Sequence, residues 1–467
     1  MPVSSFLLIL LFTTTSLFSV AQDPKTENEQ ANMYQVIEGQ INNLFKARGL
    51  SAKEIDEQLE EYRGNKILSN DQLALILQKL YPSDAGIGIL LYFFNNDTLQ
   101  RVFMVPGRVI EQKVIAIKKQ QLLQLSNDFN QVLSLYSKSN SRMPRRRGTI
   151  VTNQSTTPGL TYAGVIKKAT ELLLPVSFDE TYKHLLIIPA LNIGTIPFHL
   201  LKPYRNENLL IDKCSFTIVP TLLDIIGLRA KILKRGHYKV DMQSNFDSKA
   251  NDEINRMKLI MKNPLFISNP AYPTTTDFIF PDLPGAKKEI ANAKMFAKDF
   301  KLFEGKVAVK DSVFKYIRQA DVAYFATHGI ADEKEPMEKS FLVLSGKDPF
   351  LTAKDIMEFR KTDRHYKGFP ELIILSACQT GLGKAMEAGV AGLARSFLLA
   401  GSNHVIMSLW NVDDEATAFL MNRFIYHLQQ PNRFMPSEPL RLAILDTKKK
   451  FPNPAQWASF SLFGIDY

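Results

Sequence analysis

From about residue 160 to the carboxyl terminus, continuous apolar runs alternate with amphipathic segments. Runs such as HLLIIPA (184–190), VAYFATHG (322–329) and LIILSACQTG (372–381) are apolar at nearly every position, as strands buried on both faces are. Segments between them, such as PGAKKEIANAK (284–294), carry apolar residues at helical spacing. This alternation predicts an α/β fold, with a mostly parallel sheet flanked by helices.

The bulk composition is that of an ordinary globular chain, with 467 residues, 45% hydrophobic and 22% charged. The net charge of +10 comes without a recognition-helix or zinc-finger pattern, so we expect no nucleic-acid partner. With two cysteines, Cys214 and Cys378, a disulfide framework is excluded as the basis of stability. Cys214 lies in a run that predicts a separate buried strand, so we expect an inert core thiol that is not bridged to Cys378.

The first 21 residues have the pattern of a secretory signal peptide. An apolar run over residues 6–18 is too short to span a membrane comfortably, and Ser-Val-Ala at 19–21 supplies the small residues that signal peptidase accepts. We predict cleavage before Gln22, which makes the protein secreted or periplasmic, with no stable membrane span after cleavage. No Lys or Arg precedes the apolar run, and an uncleaved amino-terminal anchor is the alternative.

The remaining chain divides into two parts. Residues 22–83 show helical patterns, including a capping box of Ser51 and Glu54, and predict a small helical amino-terminal region. Near residue 84 the pattern changes to strands, so we place one α/β domain over residues 84–467. Inside it, the polar and basic stretch 137–159 predicts an exposed loop, and Arg-Arg-Arg at 145–147 is a candidate site for cleavage, including self-cleavage.

Two of the predicted strands end in side chains that suit nucleophilic catalysis. His328 follows the apolar run VAYFAT, and Cys378 follows LIILSA. If the two strands are parallel neighbours, both residues emerge at the same edge of the sheet, where the imidazole assists loss of the thiol proton. Gly329 lets the backbone approach closely, so the N–H groups of Gly329 and Cys378 are candidates for an oxyanion hole.

Further motifs occur in an order that resembles a known family. Cys378 lies in the segment SACQTG, 50 residues after His328. This spacing is similar to that of the caspase signature. The other matching segments are LLIIPALNIGTIPFHLL (185–201), FISNPAYP (266–273), LPGAKKEI (283–290), GLARSFLLAGSNHVIMSLWNVDDEAT (392–417) and PAQWASFSLFG (454–464). Together they resemble a CHAT domain, a bacterial branch of the caspase-like cysteine peptidases that includes separase and the gingipains.

The resemblance implies a caspase-like fold, with His328 and Cys378 as the catalytic dyad. It also implies a protein or peptide substrate and no metal or organic cofactor. Caspase-like enzymes often need loop cleavage or an activating protein partner. Many CHAT proteins carry amino-terminal tetratricopeptide repeats, and we find no such period in this sequence.

The stretch SLWNVDDEAT (408–417) predicts a specificity pocket. It follows the next strand after Cys378, so its start should lie at the same edge of the sheet. It resembles the separase segment LWDVTD, in which an aspartate reads an arginine. On this alignment Asp414 matches the second aspartate, Asn411 replaces the first, and Asp413 is the substitute. We therefore predict cleavage after Arg or Lys, with helix capping as the competing role of Asp413 and Asp414.

These patterns together predict a secreted or periplasmic cysteine endopeptidase. Cys378 attacks the scissile carbonyl and His328 assists proton transfer, and we expect both side chains to be reachable by solvent. Two alternatives stay open. The first alternative is a catalytically silent interaction module with the same fold. The second is an acyltransferase or esterase that uses the same dyad.

Overall fold

The computed structural model describes most of the chain beyond residue 69. The described residues are 70–78, 80–81, 86–134, 145–146, 159–220, 261–275, 277–332, 335–361, 369–377, 384–386, 389–430 and 435–465. The strands in chain order are β1 (Ile87–Asn95), β2 (Thr98–Val105), β3 (Arg108–Ala116), β4 (Arg145–Arg146), β5 (His184–Ile188), β6 (Ser215–Ile218), β7 (Leu265–Pro270), β8 (Phe278–Ile279), β9 (Lys301–Gly305), β10 (Val322–Ala326), β11 (Gly329–Ile330), β12 (Phe341–Val343), β13 (Phe350–Thr352), β14 (Leu372–Ser376), β15 (Lys384–Met386), β16 (Gly389–Ala391), β17 (His404–Ser408) and β18 (Phe460–Gly464).

The α-helices of the described residues lie mainly between these strands. They are α1 (Asn70–Gln78), α2 (Lys119–Ser134), α3 (Tyr162–Leu173), α4 (Leu210–Lys213), α5 (Pro284–Lys294), α6 (Lys310–Ile317), α7 (Pro336–Lys339), α8 (Ala353–Lys361), α9 (Leu393–Ala400), α10 (Asp414–Leu428), α11 (Ser437–Lys450) and α12 (Pro454–Trp457). Short 3₁₀ turns lie at Ile193–Thr195 and Phe198–Leu200.

Eleven strands form one sheet in the order β3-β2-β1-β5-β6-β18-β17-β14-β10-β7-β9. Strands β1, β5, β6 and β18 run parallel to one another, and so do β17, β14, β10, β7 and β9. The two blocks meet at β18 and β17, which are antiparallel. The predicted α/β class with a mostly parallel sheet is confirmed. The carboxyl ends of β7, β10, β14 and β17 therefore share one edge.

The central strands are buried along their whole length, which explains their continuous apolar sequence. Every residue of β5, β10, β14 and β17 is buried. Such strands are covered by helices on both faces, and here α5 packs against α10 and α8 against α9. A side chain that directly follows one of these strands therefore lies at the carboxyl edge of the sheet, next to the packed core.

The amino-terminal strands extend the same sheet with antiparallel hairpins. Strands β1 and β2 are joined at Asn96 and Asp97, whose φ values of 46° and 55° suit a tight hairpin turn. Of the predicted helical region 22–83, the structure describes only α1 and residues 80–81, and α1 packs on β2 and β3. The predicted signal peptide lies outside the described residues. In the described part of the chain, no helix has the length and apolar character needed to cross a membrane.

Candidate active site

The register of two adjacent strands sets side by side the strand ends that lead into the predicted dyad. Strands β10 and β14 are parallel neighbours, and Ala326 pairs with Ser376, an offset of 50 residues. His328 and Cys378 have the same offset, each two residues beyond this pair. Cys378 itself lies outside the described residues and directly follows Ala377 in the chain. The structure thus places His328 beside the strand that leads into Cys378.

A backbone carbonyl orients the imidazole of His328. The carbonyl oxygen of Pro281 lies 2.7 Å from Nε2 of His328. A carbonyl oxygen only accepts hydrogen bonds, so Nε2 carries a proton and donates it to this bond. The tautomer is therefore set, and Nδ1 is the ring nitrogen that exchanges protons with a reacting group. Nothing in the sequence marks a particular carbonyl for this role, and sequence reasoning missed Pro281.

Aromatic rings cover the imidazole. The ring centroid of His328 is 4.6 Å from that of Tyr272 and 5.6 Å from that of Phe280, and its side chain is 0% exposed. The expectation that His328 is reachable by solvent is therefore wrong for this structure. The reason is that Tyr272 and Phe280, which lie between β7 and α5 in the chain, pack on the imidazole.

The segment over His328 is held by Asn269, at the end of β7. Asn269 is buried, and its φ is 39°. Its Nδ2 donates to Oδ1 of Asp282 at 2.6 Å, and its Oδ1 accepts from the N–H of Leu283 at 3.1 Å. The two bonds hold the turn that carries the Pro281 carbonyl. The sequence signal for this role was weak, because asparagine tolerates positive φ in many turns.

The backbone around His328 is fixed by the small sheet of β11, β12 and β13. The carbonyl of His328 accepts from the N–H of Val343 at 2.9 Å, and Oγ1 of Thr327 donates to the Val343 carbonyl at 2.5 Å. Gly329 is buried and pairs with Leu342 in β12. The main chain at Gly329 therefore has a defined position next to His328, while its oxyanion role stays a prediction.

A serine on β17 supports the chain just before Cys378. The hydroxyl of Ser408 donates to the carbonyl oxygen of Ala377 at 2.6 Å. Both residues are buried, so this bond is shielded from water. It links the end of β17 to the end of β14, where the predicted nucleophile follows. Sequence reasoning did not single out Ser408.

The two aspartates predicted for substrate binding both bond to helix N-termini. Oδ1 of Asp413 accepts from the N–H of Ala416 at 2.9 Å, which makes Asp413 the N-cap of α10. Oδ2 of Asp414 accepts from the N–H of Gly285 in α5 at 2.7 Å. A Cβ on Gly285 would collide with that oxygen where it now lies, so this close approach requires glycine. The capping explanation is thus supported, and a substrate role stays a prediction.

Asn411 lies two residues before Asp413, after the end of β17. Its side-chain oxygen Oδ1 is buried and has no hydrogen-bond partner in the structure as described. A buried acceptor without a donor is costly, and a water molecule or a bound group can supply the missing donor. Asn411 is therefore suited to accept a hydrogen bond from a bound group.

The other cysteine, Cys214, lies in the core. It is a free thiol, buried at the start of β6, and Sγ donates to the carbonyl of Ser215 at 3.1 Å. Burial raises the pKa of the Cys214 thiol, so it is protonated near neutral pH. It fits the expected inert core thiol. In the ranges that the structure describes, no group of three or more His, Cys, Asp or Glu residues is arranged to hold a metal ion.

The sheet and the strand-end histidine together define the class, which is the caspase-like cysteine peptidase fold. Among solved structures, the chain is similar to one in the Saccharomyces cerevisiae separase–securin complex, with a TM-score of 0.50 and 12% identity over 99% of this chain and 35% of that chain. Residues 165–465 match the model of the CHAT domain. The chain therefore belongs to the CHAT domain family, as the sequence motifs predicted.

Other similarities are more distant or partial. Human tetratricopeptide repeat protein 28 is 21% identical over 322 residues, which are 61% of this chain and 12% of that protein. The mouse protein of the same name is 23% identical over 35% of this chain and 8% of its own length. The chain thus spans about a tenth of these relatives. The Arg-specific cysteine proteinase gingipain R aligns at a TM-score of 0.40 and 9% identity, over 66% of this chain and 68% of that one.

Proposed function

We propose that this chain is a cysteine endopeptidase in which Cys378 is the nucleophile and His328 transfers the proton. The observation that carries the proposal is the register of β10 and β14, which sets His328 beside the strand leading into Cys378. The hydrogen bond from Nε2 of His328 to the Pro281 carbonyl is the second support, because catalytic imidazoles need a fixed tautomer.

The reaction follows from this orientation. Sγ of Cys378, as the thiolate, forms a bond to the scissile carbonyl carbon, and the N–H groups of Gly329 and Cys378 stabilise the oxyanion. Nδ1–H of the protonated His328 gives its proton to the leaving nitrogen as the C–N bond breaks. Water then attacks the thioester and gives one proton back to Nδ1. The products are an amine, a carboxylic acid and the regenerated thiolate.

The proposed preference is for Arg or Lys on the amino side of the cleaved bond. A guanidinium offers five N–H donors and needs several acceptors when it is buried. Asn411, Asp413 and Asp414 follow β17, whose carboxyl end lies at the same edge as that of β14. Asp413 and Asp414 bring carboxylate oxygens to this edge, and Oδ1 of Asn411 is a buried acceptor.

The proposed setting is secreted or periplasmic. It rests on the signal-like residues 1–21, with Gln22 as the first residue of the mature chain. In an oxidising compartment a catalytic thiol is exposed to oxidation, so activity should rise when a reductant is added.

The direct test is cleavage profiling on a peptide library under reducing conditions. Wild type and Cys214→Ala are expected to release new amino termini after Arg or Lys, and Cys378→Ala is expected to release none. Cleavage by Cys378→Ala at the wild-type rate would overturn the dyad. Cleavage after Asp or Leu by wild type would overturn the specificity alone.

A catalytically silent interaction module is the second candidate, and one observation favours it. The imidazole of His328 is fully buried beneath Tyr272 and Phe280. A silent module would leave Cys378 unmodified by a peptidyl electrophile, whereas a peptidase that opens its cover is labelled there. Release of an alcohol from an ester would indicate an esterase, and transfer of an acyl group to an acceptor would indicate an acyltransferase, in both cases with no new amino terminus.

A further inference from the structure

A short strand from the basic loop pairs with the segment that covers His328. Arg145 lies opposite Ile279 and Arg146 opposite Phe278, in the antiparallel pair β4–β8. Within the described residues this is a separate two-stranded sheet, so β8 has no strand of the main sheet as a neighbour. The main chain of β8 therefore offers an edge to an extended segment, and residues 145–146 now occupy it.

This edge is close to the candidate active site. Ile279 is two residues from Pro281, whose carbonyl bonds to His328, and two residues of extended chain span about 7 Å. Between them lies Phe280, whose ring packs on the imidazole. An extended peptide paired with β8 therefore runs beside the proposed catalytic histidine.

The edge is also held by contacts that do not involve β4. Oγ1 of Thr275 accepts from the N–H of Phe278 at 2.8 Å, which closes the turn before β8. The rings of Phe278 and Phe280 lie 5.8 Å apart, and Phe278 packs edge-on against Phe341 of β12 at 6.2 Å. A preformed strand edge binds an extended peptide through main-chain bonds without the entropy cost of ordering itself.

The charge around the edge favours a basic segment. Asp277 and Asp282 stand on either side of β8, and both are exposed. The occupant, residues 145–146, is Arg-Arg within the run Arg-Arg-Arg. The carboxylates and the basic sequence of the occupant are complementary in sign, which favours basic over acidic peptides at this edge.

We propose that the main-chain edge of Phe278–Ile279 is the docking edge for a basic, extended substrate peptide, and that the chain's own residues 145–146 occupy it as an internal competitor. The proposal rests on the proposed peptidase function and extends it to substrate conformation and self-regulation. While β4 is paired, an external peptide must displace it, so the resting protein has a reduced apparent affinity for substrate. Release of β4 frees the edge.

A binding experiment tests docking without relying on catalysis. In a Cys378→Ala background, Arg145→Pro/Arg146→Pro removes both N–H groups of β4, and Arg145→Lys/Arg146→Lys keeps them together with the charge. The probe is a fluorescent peptide of residues 141–150, SRMPRRRGTI, followed by polarisation. Removing a tethered competitor should tighten binding about tenfold in the Pro variant and leave the Lys variant like its parent. Equal binding by the two variants overturns the proposal.

A modified probe tests whether the main chain makes the contact. The same peptide carrying N-methyl groups on the backbone nitrogens that correspond to 145 and 146 keeps its side chains but cannot donate from them. It should lose binding to the Pro variant. If it binds as tightly as the unmodified peptide, docking by strand pairing is wrong.

Turnover with Cys378 intact separates this proposal from the proposed function. The Pro variant should have a KM about tenfold below that of the Lys variant, with the same kcat. If the two variants bind the peptide unequally but no variant hydrolyses it, the docking proposal is supported and the proposed peptidase function is wrong. Hydrolysis with an identical KM in both variants would keep the peptidase and overturn the internal competitor.

Discussion

The carbonyl of Pro281 and the imidazole of His328 are joined by a 2.7 Å hydrogen bond, although 47 residues separate them in the chain. The bond fixes which nitrogen carries the proton, and so directs Nδ1 to the chemistry. Since the acceptor is a backbone atom, side-chain substitution at 281 does not remove it. The hydrogen bond can instead be disturbed by substitutions that loosen the turn carrying this carbonyl.

Asn269→Ala should lower kcat with little change in KM. The variant removes both hydrogen bonds that hold the 281–283 turn, so the imidazole loses its fixed orientation, and small displacements of catalytic groups cost about ten- to a hundredfold in rate. Asp282→Ala removes one of these bonds and is the matched control, with a smaller expected loss. Steady-state kinetics on one amide substrate measure both. A rise in KM at unchanged kcat would show that Asn269 does not act through His328.

Asp414→Ala should affect both stability and specificity. Loss of the bond to the Gly285 N–H should lower the free energy of unfolding by about 1–2 kcal/mol. If Asp414 also reads the substrate, kcat/KM should fall more for an Arg peptide than for a matched Leu peptide. Asp413→Ala should cost about 1 kcal/mol as a lost N-cap.

Gly285→Ala is the control for that comparison. The added Cβ disturbs the contact with Asp414, but the Asp414 carboxylate is still present. Stability should therefore fall, while the ratio of kcat/KM for the Arg and Leu peptides stays at the wild-type value. If Asp414→Ala also keeps the wild-type ratio of kcat/KM for the Arg and Leu peptides, Asp414 links α10 to α5 and does not bind the substrate.

Cysteine labelling should discriminate sharply between the two thiols. Burial raises the pKa of Cys214, so it remains protonated and unreactive near neutral pH. A peptidyl electrophile should add one label to each wild-type chain. Cys214→Ala should take the same label, and Cys378→Ala should take none. Mass spectrometry of the intact protein measures this, and a label on Cys214 in the folded protein would contradict the assignment.

Two buried histidines should make the fold acid-sensitive. Burial lowers the pKa values of His184 and His199 to about 3, from an ordinary value of 6.5. The unfolded chain therefore binds protons that the folded chain does not, and stability falls as pH drops below about 6.5 towards 3. Each histidine contributes a slope of up to about 1.4 kcal/mol per pH unit.

The measurement is urea unfolding between pH 7.5 and 5. His184→Gln/His199→Gln removes both titrating groups and should have a flatter profile than wild type, whatever its stability at pH 7.5. An equal slope for the two proteins would show that these groups do not control acid sensitivity.

The export interpretation is tested on protein from the native host. The mature chain should begin at Gln22, because residues 19–21 satisfy signal peptidase. Amino-terminal sequencing gives the answer. Recovery of a membrane-bound chain that still carries residues 1–21 would identify an uncleaved anchor.

The strands of the site were predictable from sequence, because fully buried parallel strands have continuous apolar sequences, whereas their adjacency was an assumption that the structure confirms. The runs ending at His328 and Cys378 were identified from that signal alone, and β10 and β14 are indeed parallel neighbours. The antiparallel strand β18 and the two- and three-residue strands β11, β12 and β13 were missed. Strands β11, β12 and β13 contain too few residues to show a period, whereas β18 has five residues and was not identified as a strand.

The remaining site contacts depend on distant pairs that leave no local trace. Asp414 bonds to Gly285, 129 residues away, and Ser408 supports Ala377 from another strand. The cover over His328 arises because Tyr272 and Phe280 fold back across the sheet edge, and an aromatic residue in a loop does not reveal which group it packs on.

The central claim is that Cys378 and His328 hydrolyse peptide bonds. The most direct measurement is release of a new amino terminus from one Arg-containing peptide, under reducing conditions, by wild type, Cys378→Ala, His328→Ala and Cys214→Ala. The account predicts hydrolysis by wild type and Cys214→Ala, and none by the other two folded variants. Hydrolysis by folded Cys378→Ala at the wild-type rate, or no hydrolysis by either wild type or the Arg145→Pro/Arg146→Pro variant, would contradict it.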